Sequence, residues 1–369
     1  MADQWIDPSQ WIDAAPWTGA HSEEPAPGRR GRAPSPPAAG VSRRRALVTG
    51  TASLIGLGLR GRSLPPAVRQ AGPAQGFKLM FEQFRRLGQI SSPRLVLPGL
   101  IAQTRTLRDL GTSARPEARP ELLLIASRYA EYTGWLAQES GDDEAAVWWT
   151  AQAADMATAG GDPEMAVYAL VRQALVAFDR GDAARTIDLA RRAQADRRAA
   201  PRVRGLAAQR EAQGHALAGD YGRCRRALDR AAALLDGAEQ RAGSSPDVLP
   251  PLGSRNVADP VAIAAGWCYH DLGRPRAAAE ILERETARIL PGALRARTRY
   301  GTRLALAYAE SGEVDRACAL AGRVLDEAAV VDSATIRRDV ARLARSLARW
   351  STHRPVRALS PGFAQALRV

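Results

Sequence analysis

Lysine is almost missing from this chain: Lys78 is the only one among 52 basic side chains in 369 residues. Arginine carries the rest of the net charge of +13. So lopsided a ratio, beside abundant Ala, Gly and Pro, reads as GC-rich coding rather than as a surface built for nucleic acid. The charge is also dispersed. Residues 1–76 hold 9 Arg against 5 acids, and the pairs Arg191-Arg192, Arg197-Arg198, Arg225-Arg226 and Arg337-Arg338 are scattered. Solvated helix faces account for them, and no strong nucleic-acid signal follows. Cysteines number three, with no CxxC pair. Cys224, Cys268 and Cys318 read as free buried thiols of a reducing compartment. The four histidines, His21, His215, His270 and His353, lie far apart and form no ligand motif. No metal or cofactor is expected. Aromatics are 5% and strand-favouring runs are nearly absent, which leaves an all-α body as the economical reading. No apolar run is long enough to span a bilayer. No nucleophile–base–acid constellation appears, so the chain reads as a binding protein and not an enzyme.

Five small turns are present at near-regular spacing. Glycines stand at 141, 181, 219, 273 and 312, in Ser140-Gly141-Asp142, Arg180-Gly181-Asp182, Ala218-Gly219-Asp220, Leu272-Gly273-Arg274 and Ser311-Gly312-Glu313. Three of the four intervals are 40, 38 and 39 residues. A fixed period of that size predicts stacked helical hairpins. Helices that cross closely need small residues at the crossing. Seven residues before each turn glycine stand Gly134, Ala174, Ala212, Gly266 and Ala305. Five residues after it stand Ala146, Thr186, Cys224, Ala278 and Ala317. Twelve after, Ala153, Ala193 and Ala231 fill the first three units, and Glu285 and Val324 the last two.

This pattern of small residues around a turn resembles the tetratricopeptide repeat, with Tyr269 and Tyr308 at its aromatic position in the first helix. Ala137, Ala177 and His215 depart from it, and the period exceeds the usual 34 residues. The resemblance implies a right-handed α-solenoid of tetratricopeptide-like helical hairpins. Over roughly 77–350 the chain is also similar to the tetratricopeptide half of actinobacterial (Streptomyces-type) helix-turn-helix transcriptional regulators. The run from Arg128 to Leu136, with Gln138 and Gly141-Asp142, carries that likeness, as does Glu211 to Leu217 followed by Gly219-Asp220. Those proteins usually place a DNA-binding domain before the repeats, and residues 1–76 do not read as one.

The predicted organisation follows. Residues 1–76 read as mostly disordered. Within them Gln4-Trp5-Ile6-Asp7 recurs as Gln10-Trp11-Ile12-Asp13. This Trp5/Trp11 repeat reads as a linear motif that docks on a partner or on the protein's own groove, or as a local turn without a role. Ser42-Arg43-Arg44-Arg45 and the apolar stretch to Leu59 match a twin-arginine export signal, or an uncleaved linker of the kind those regulators contain. Arg45 to Gly50 with Gly56 and Gly58 imitates a dinucleotide loop. Its glycines are too far apart, and a Tyr-x-x-x-Lys pair is impossible with Ala74 four residues before Lys78. Residues 77–118 are expected to cap the array, 119–330 to form the repeats with an insertion loop at 237–259, and 331–369 to supply a capping helix and tail.

In tetratricopeptide arrays the first helix of each hairpin lines the concave surface. That geometry implies a ligand or peptide groove of Arg128, Glu131, Trp135, Gln138, Tyr168, Gln209, Gln213, Trp267, His270 and Arg299, with Leu175, Phe178, Ile263, Thr302 and Glu310 beside them. Aromatic anchors and backbone-directed Gln suit an extended or helical peptide. Trp135, Trp267 and Phe178 fit a core role as well. Trp148-Trp149 are expected to divide between core and surface. The expected function is regulatory protein or peptide binding in bacterial signalling or transcriptional control, in the cytoplasm. The alternative is an exported binding protein using the same groove.

Overall fold

The computed structural model describes residues 73–239 and 249–368. The described residues hold fourteen α-helices, one 3-10 turn and no strand. They form an all-α stack of helical hairpins. Helices α1 (Pro73–Ile90) and α2 (Pro93–Ser113) come first. Five hairpins follow: α3 (Arg119–Ser140) with α4 (Asp143–Ala159), α5 (Glu164–Asp179) with α6 (Ala183–Ala195), α7 (Pro201–Leu217) with α8 (Tyr221–Glu239), α9 (Pro260–Asp271) with α10 (Pro275–Thr286), and α11 (Leu294–Ser311) with α12 (Val314–Val331). Helix α13 (Ala334–Leu347), a 3-10 turn and α14 (Arg354–Ala366) end the stack. The expected loose tail is thus largely the helix α14, seated on α12 and α13. The Trp5/Trp11 repeat, the 42–59 segment and the mimic of a dinucleotide loop lie outside the described residues.

Each hairpin turns at one of the five spaced glycines, with φ from 70° at Gly273 to 97° at Gly141. At Gly141 the left-handed conformation lets the amides of Gly141 and Asp142 reach the carbonyls of Gln138 and Ala137, closing the end of α3. The next residue then starts α4. The Asp142 carboxylate accepts from the Ala145 amide at 2.8 Å, and Asp182 and Asp220 repeat the cap in the next two units. Gly-Asp is therefore a stop followed by a start.

The small residues meet at the crossings. Ala174, Ala212, Ala305, Ala278 and Ala317 are completely buried. A Cβ on Gly266 would come within 2.8 Å of Leu282 Cγ, so only glycine lets α9 and α10 approach this closely. The positions twelve after the turn are buried too, including Glu285, which Arg284 and Arg288 neutralise at 2.9 and 3.0 Å. Arg284 thus pairs with its neighbour Glu285. Trp149 is buried and Trp148 half-buried, their rings edge to face at 4.8 Å. All three cysteines are free and buried.

The two ends of the stack meet, which the repeat pattern does not foretell. Helix α1 touches α11 and α12, and α3 touches α13. At this seam Arg295 donates to the Gly88, Ser91 and Val331 carbonyls and to Glu139. Glu139 also accepts from Ser333 and Thr335. Ser92 donates to Asp332 at 3.0 Å, and Asp332 turns the chain with φ 43°.

Candidate functional site

The stack encloses a cavity of about 640 Å³, lined from α1 through α11 and by the loop before α9. The first helices of the hairpins form most of its wall. Positions thirteen before each turn glycine are Arg128, Tyr168, Leu206, Pro260 and Arg299, and all five line it. Positions nine before are Tyr132, Arg172, Arg210, Ala264 and Arg303, and these line it too. Residues four apart on a helix share a face, so the two offsets make one inward stripe repeated five times.

Seven of the ten residues expected in the groove are on this wall: Arg128, Glu131, Trp135, Tyr168, Gln209, Gln213 and Arg299. Leu175, Phe178 and Ile263 join them, whereas Thr302 and Glu310 do not. Gln138 lies behind the wall, donating to Asp179 at 2.8 Å and accepting from Arg172 at 3.0 Å. Trp267 is 1% exposed and belongs to the core around Leu282 and Leu304. Its ring stacks on His270 at 4.5 Å and is covered by the Arg303 guanidinium at 4.1 Å. His270 faces Asp271 at 3.3 Å and Glu310 at 3.0 Å. Burial opposes a charge there, but the hydrogen bonds and charges of the two carboxylates outweigh it and raise His270 to about 9. Trp267, His270 and Gln138 are thus supports, not contacts. Arg342 of α13 also approaches the Trp267 ring, at 5.8 Å.

The wall is strongly basic. Nine arginines line it against three glutamates, Glu82, Glu131 and Glu139. Most of these cations have partners. Arg295 pairs with Glu139 at 3.0 Å, Arg303 with Asp339 at 2.9 Å, and Arg299 with Asp179 at 3.3 Å. Arg172 lies 3.6 Å from Glu131. Burial works against the Arg299 charge, but Asp179 and Glu139 more than restore it. Arg128 and Arg210 differ. Neither makes an ion pair among the described residues; each keeps a buried guanidinium nitrogen without a hydrogen-bond partner, as Arg172 and Arg299 also do. Arg210 donates only to the neutral amide of Gln213. Burial lowers the pKa of both, and the opposing charges, Glu131 first at Arg128 and Tyr300 first at Arg210, do not compensate.

Aromatic groups stand between these charges. Tyr132 stacks on Trp135 at 5.1 Å, and the Tyr132 hydroxyl donates to the Arg85 carbonyl. Arg295 sits 5.7 Å from the Trp135 ring. Tyr168 is pushed up to about 12, first by burial, while the charges of Arg172, Arg210 and Arg128 pull the other way. The charges of all three arginines therefore act on one phenol.

The described part of the insertion loop forms one side of the cavity. Residues 250–257 line it without regular structure. Arg202 Nε donates to the Leu252 carbonyl at 2.8 Å, and Gln209 Nε2 donates to the Pro260 carbonyl at 2.7 Å. Gln209 thus holds the first residue of α9. Leu252 is buried, and a Cβ on Gly253, at φ 90°, would come within 2.8 Å of Leu206 Cδ1.

The sequence reading omitted Arg172, Arg210, Arg295, Arg303, Tyr132 and Tyr300 from the groove. The residues expected in the groove stand mostly thirteen, ten, six and three before the turn glycine. The offset of nine, basic in three units of five and tyrosine in a fourth, is the signal that would have found four of the omitted residues.

The site and fold define a helical-hairpin array with a basic, aromatic inner cavity. Among solved structures the chain is similar to one described as the crystal structure of Rap protein complexed with competence and sporulation factor. Identity is 12%, the TM-score is 0.44, and the match covers 80% of this chain and 98% of that one. No protein-family model matches the chain, and no curated protein does.

Proposed function

We propose that this chain is a regulatory module that binds a peptide or an extended protein segment in its inner cavity. One observation carries the reading: five successive first helices turn the same two offsets inward, and their side chains mix aromatic faces with polar hydrogen-bonding groups. Such a lining matches peptide recognition, where aromatic side chains anchor and polar groups fix orientation. The cavity is of the size that small ligands and short peptides occupy. The residues at 128–142 and 211–220 resemble the tetratricopeptide half of actinobacterial regulators, which favours a role in bacterial signalling or transcriptional control. No described helix is long and apolar enough to cross a membrane.

The test is Trp135→Ala. Trp135 is half-buried on the cavity wall, unlike the core residue Trp267. Partners captured from the native cell by the full chain should be lost with this variant, at a binding cost of about 2 kcal/mol or more. Equal capture by variant and parent would refute the cavity as the binding site.

A further inference from the structure

We infer that the peptide bound in this cavity is acidic, and that Arg128 and Arg210 take its carboxylates. This rests on the peptide-binding reading above and names the chemistry of the ligand. The argument begins with the pairing pattern. The protein supplies carboxylates to Arg172, Arg295, Arg299 and Arg303 from its own helices. Among the described residues no carboxylate makes an ion pair with Arg128 or Arg210, and the charges of Glu131 on the first and Asp179 on the second do not offset their burial. A guanidinium removed from water without a counter-charge is costly, and folding alone gives no reason to place two of them on one cavity wall. Both residues line that wall and are part-exposed, so a ligand meets their exposed atoms while the unpartnered nitrogens stay covered. They come from α3 and α7, on either side of α5, and Tyr168 of α5 feels both charges. A chain laid across these three helices would meet one cation, then a phenol, then the second cation.

Guanidinium favours the carboxylate for a geometric reason: its fork of N–H donors matches the two oxygens. The excess of arginines over glutamates on the wall adds long-range attraction for an anion and repels a cationic peptide. The stacked Tyr132–Trp135 pair and Tyr300 offer apolar contact between the charged points. The occupant is therefore a peptide carrying at least two Asp or Glu residues with apolar side chains between them.

The experiment measures binding of the full chain to degenerate fluorescent decapeptide pools by polarisation. One pool carries Asp and Glu at its varied charged positions, a second carries Asn and Gln there, a third Lys and Arg, and a fourth phosphoserine. The acidic pool should bind at least about tenfold tighter than the amide pool, and the difference should shrink at high salt. Arg128→Gln and Arg210→Gln should each remove about tenfold or more for the acidic pool and leave the amide pool unchanged. Arg223→Gln, on the outer helix α8, should change neither. The parent chain alone decides the central point, so a variant that fails to fold does not rescue the inference. Equal or tighter binding of the amide or basic pool overturns it while leaving peptide binding intact. A clear preference for phosphoserine overturns the carboxylate assignment. Binding of no pool overturns this inference and the peptide-binding reading together.

Discussion

Arg295 and Glu139 stand 156 residues apart in the chain and meet at 3.0 Å, both almost sealed from solvent. Their contact joins the last hairpin to the first. Glu139 also lies 3.8 Å from Arg299 and accepts from Ser333 and Thr335, so each of its oxygens has partners.

Cutting this pair should be costly. Arg295→Ala leaves a buried carboxylate with much less compensation and should lower stability by about 3–5 kcal/mol, read from chemical denaturation. The double change Arg295→Met with Glu139→Gln should cost less than the single one, because no charge is stranded. The same site predicts an acid limb. Burial disfavours the Glu139 anion, but Arg295, Arg299 and the two hydroxyls outweigh it and hold its pKa below the ordinary value. A group depressed in the fold stabilises fully above its unfolded pKa of about 4.3 and loses that contribution as pH falls through the folded value. Melting temperature should drop with acid more steeply in the parent than in Glu139→Gln.

The crossings give a second expectation. Ala278 and Ala317 have no exposed surface. Enlarging either to Leu should overpack a hairpin and cost about 1–3 kcal/mol in thermal or denaturant melts. Unchanged melts for both would place the crossings elsewhere.

Trp267 offers a third. It is a core side chain beneath Arg303, not a groove anchor. Trp267→Ala should lower stability by about 3–5 kcal/mol. Binding measured well below its melting temperature should survive. A selective binding loss with an unchanged melt would return Trp267 to the site.

His270 supplies a pH signature on the opposite limb. Its folded pKa, about 9, lies above the ordinary histidine value because Asp271 and Glu310 outweigh burial. Its stabilisation is complete below about pH 6.5 and disappears as pH rises through about 9. Melting temperature should fall across that window in the parent, and His270→Gln should be flatter there.

Much of the array was legible from local chemistry. A glycine that must adopt positive φ, followed by an aspartate that caps the next helix, marks a turn wherever it occurs, as at Gly141-Asp142. Small residues at Gly134, Ala146 and their counterparts mark crossings because bulk cannot fit there. The seam was not legible. Nothing around Arg295 or Glu139 distinguishes them from other charged helix residues, since their meaning comes from a contact between distant hairpins. The groove was half legible for a related reason. Helical spacing predicts an inner stripe, but curvature decides which offset faces inward. The array buries the position three before the turn at Gln138 and His270, and turns the position nine before inward at Arg172, Arg210 and Arg303. The wall formed by 250–257 depends on where an irregular loop folds back, which no periodicity encodes.

An open stack of repeats can gain or lose a unit by duplication or deletion, because its ends are free. This one has a fixed count. Adding one hairpin anywhere between α3 and α11 would carry Arg295 away from Glu139 and from the carbonyls of Gly88 and Ser91. Removing one would leave too short an arc to span the gap. The contact at the seam thereby sets the number of hairpins, and with it the circumference of the cavity. At that count, change in the cavity's lining comes by exchanging side chains along the inward stripe, along α1 or along the 250–257 loop.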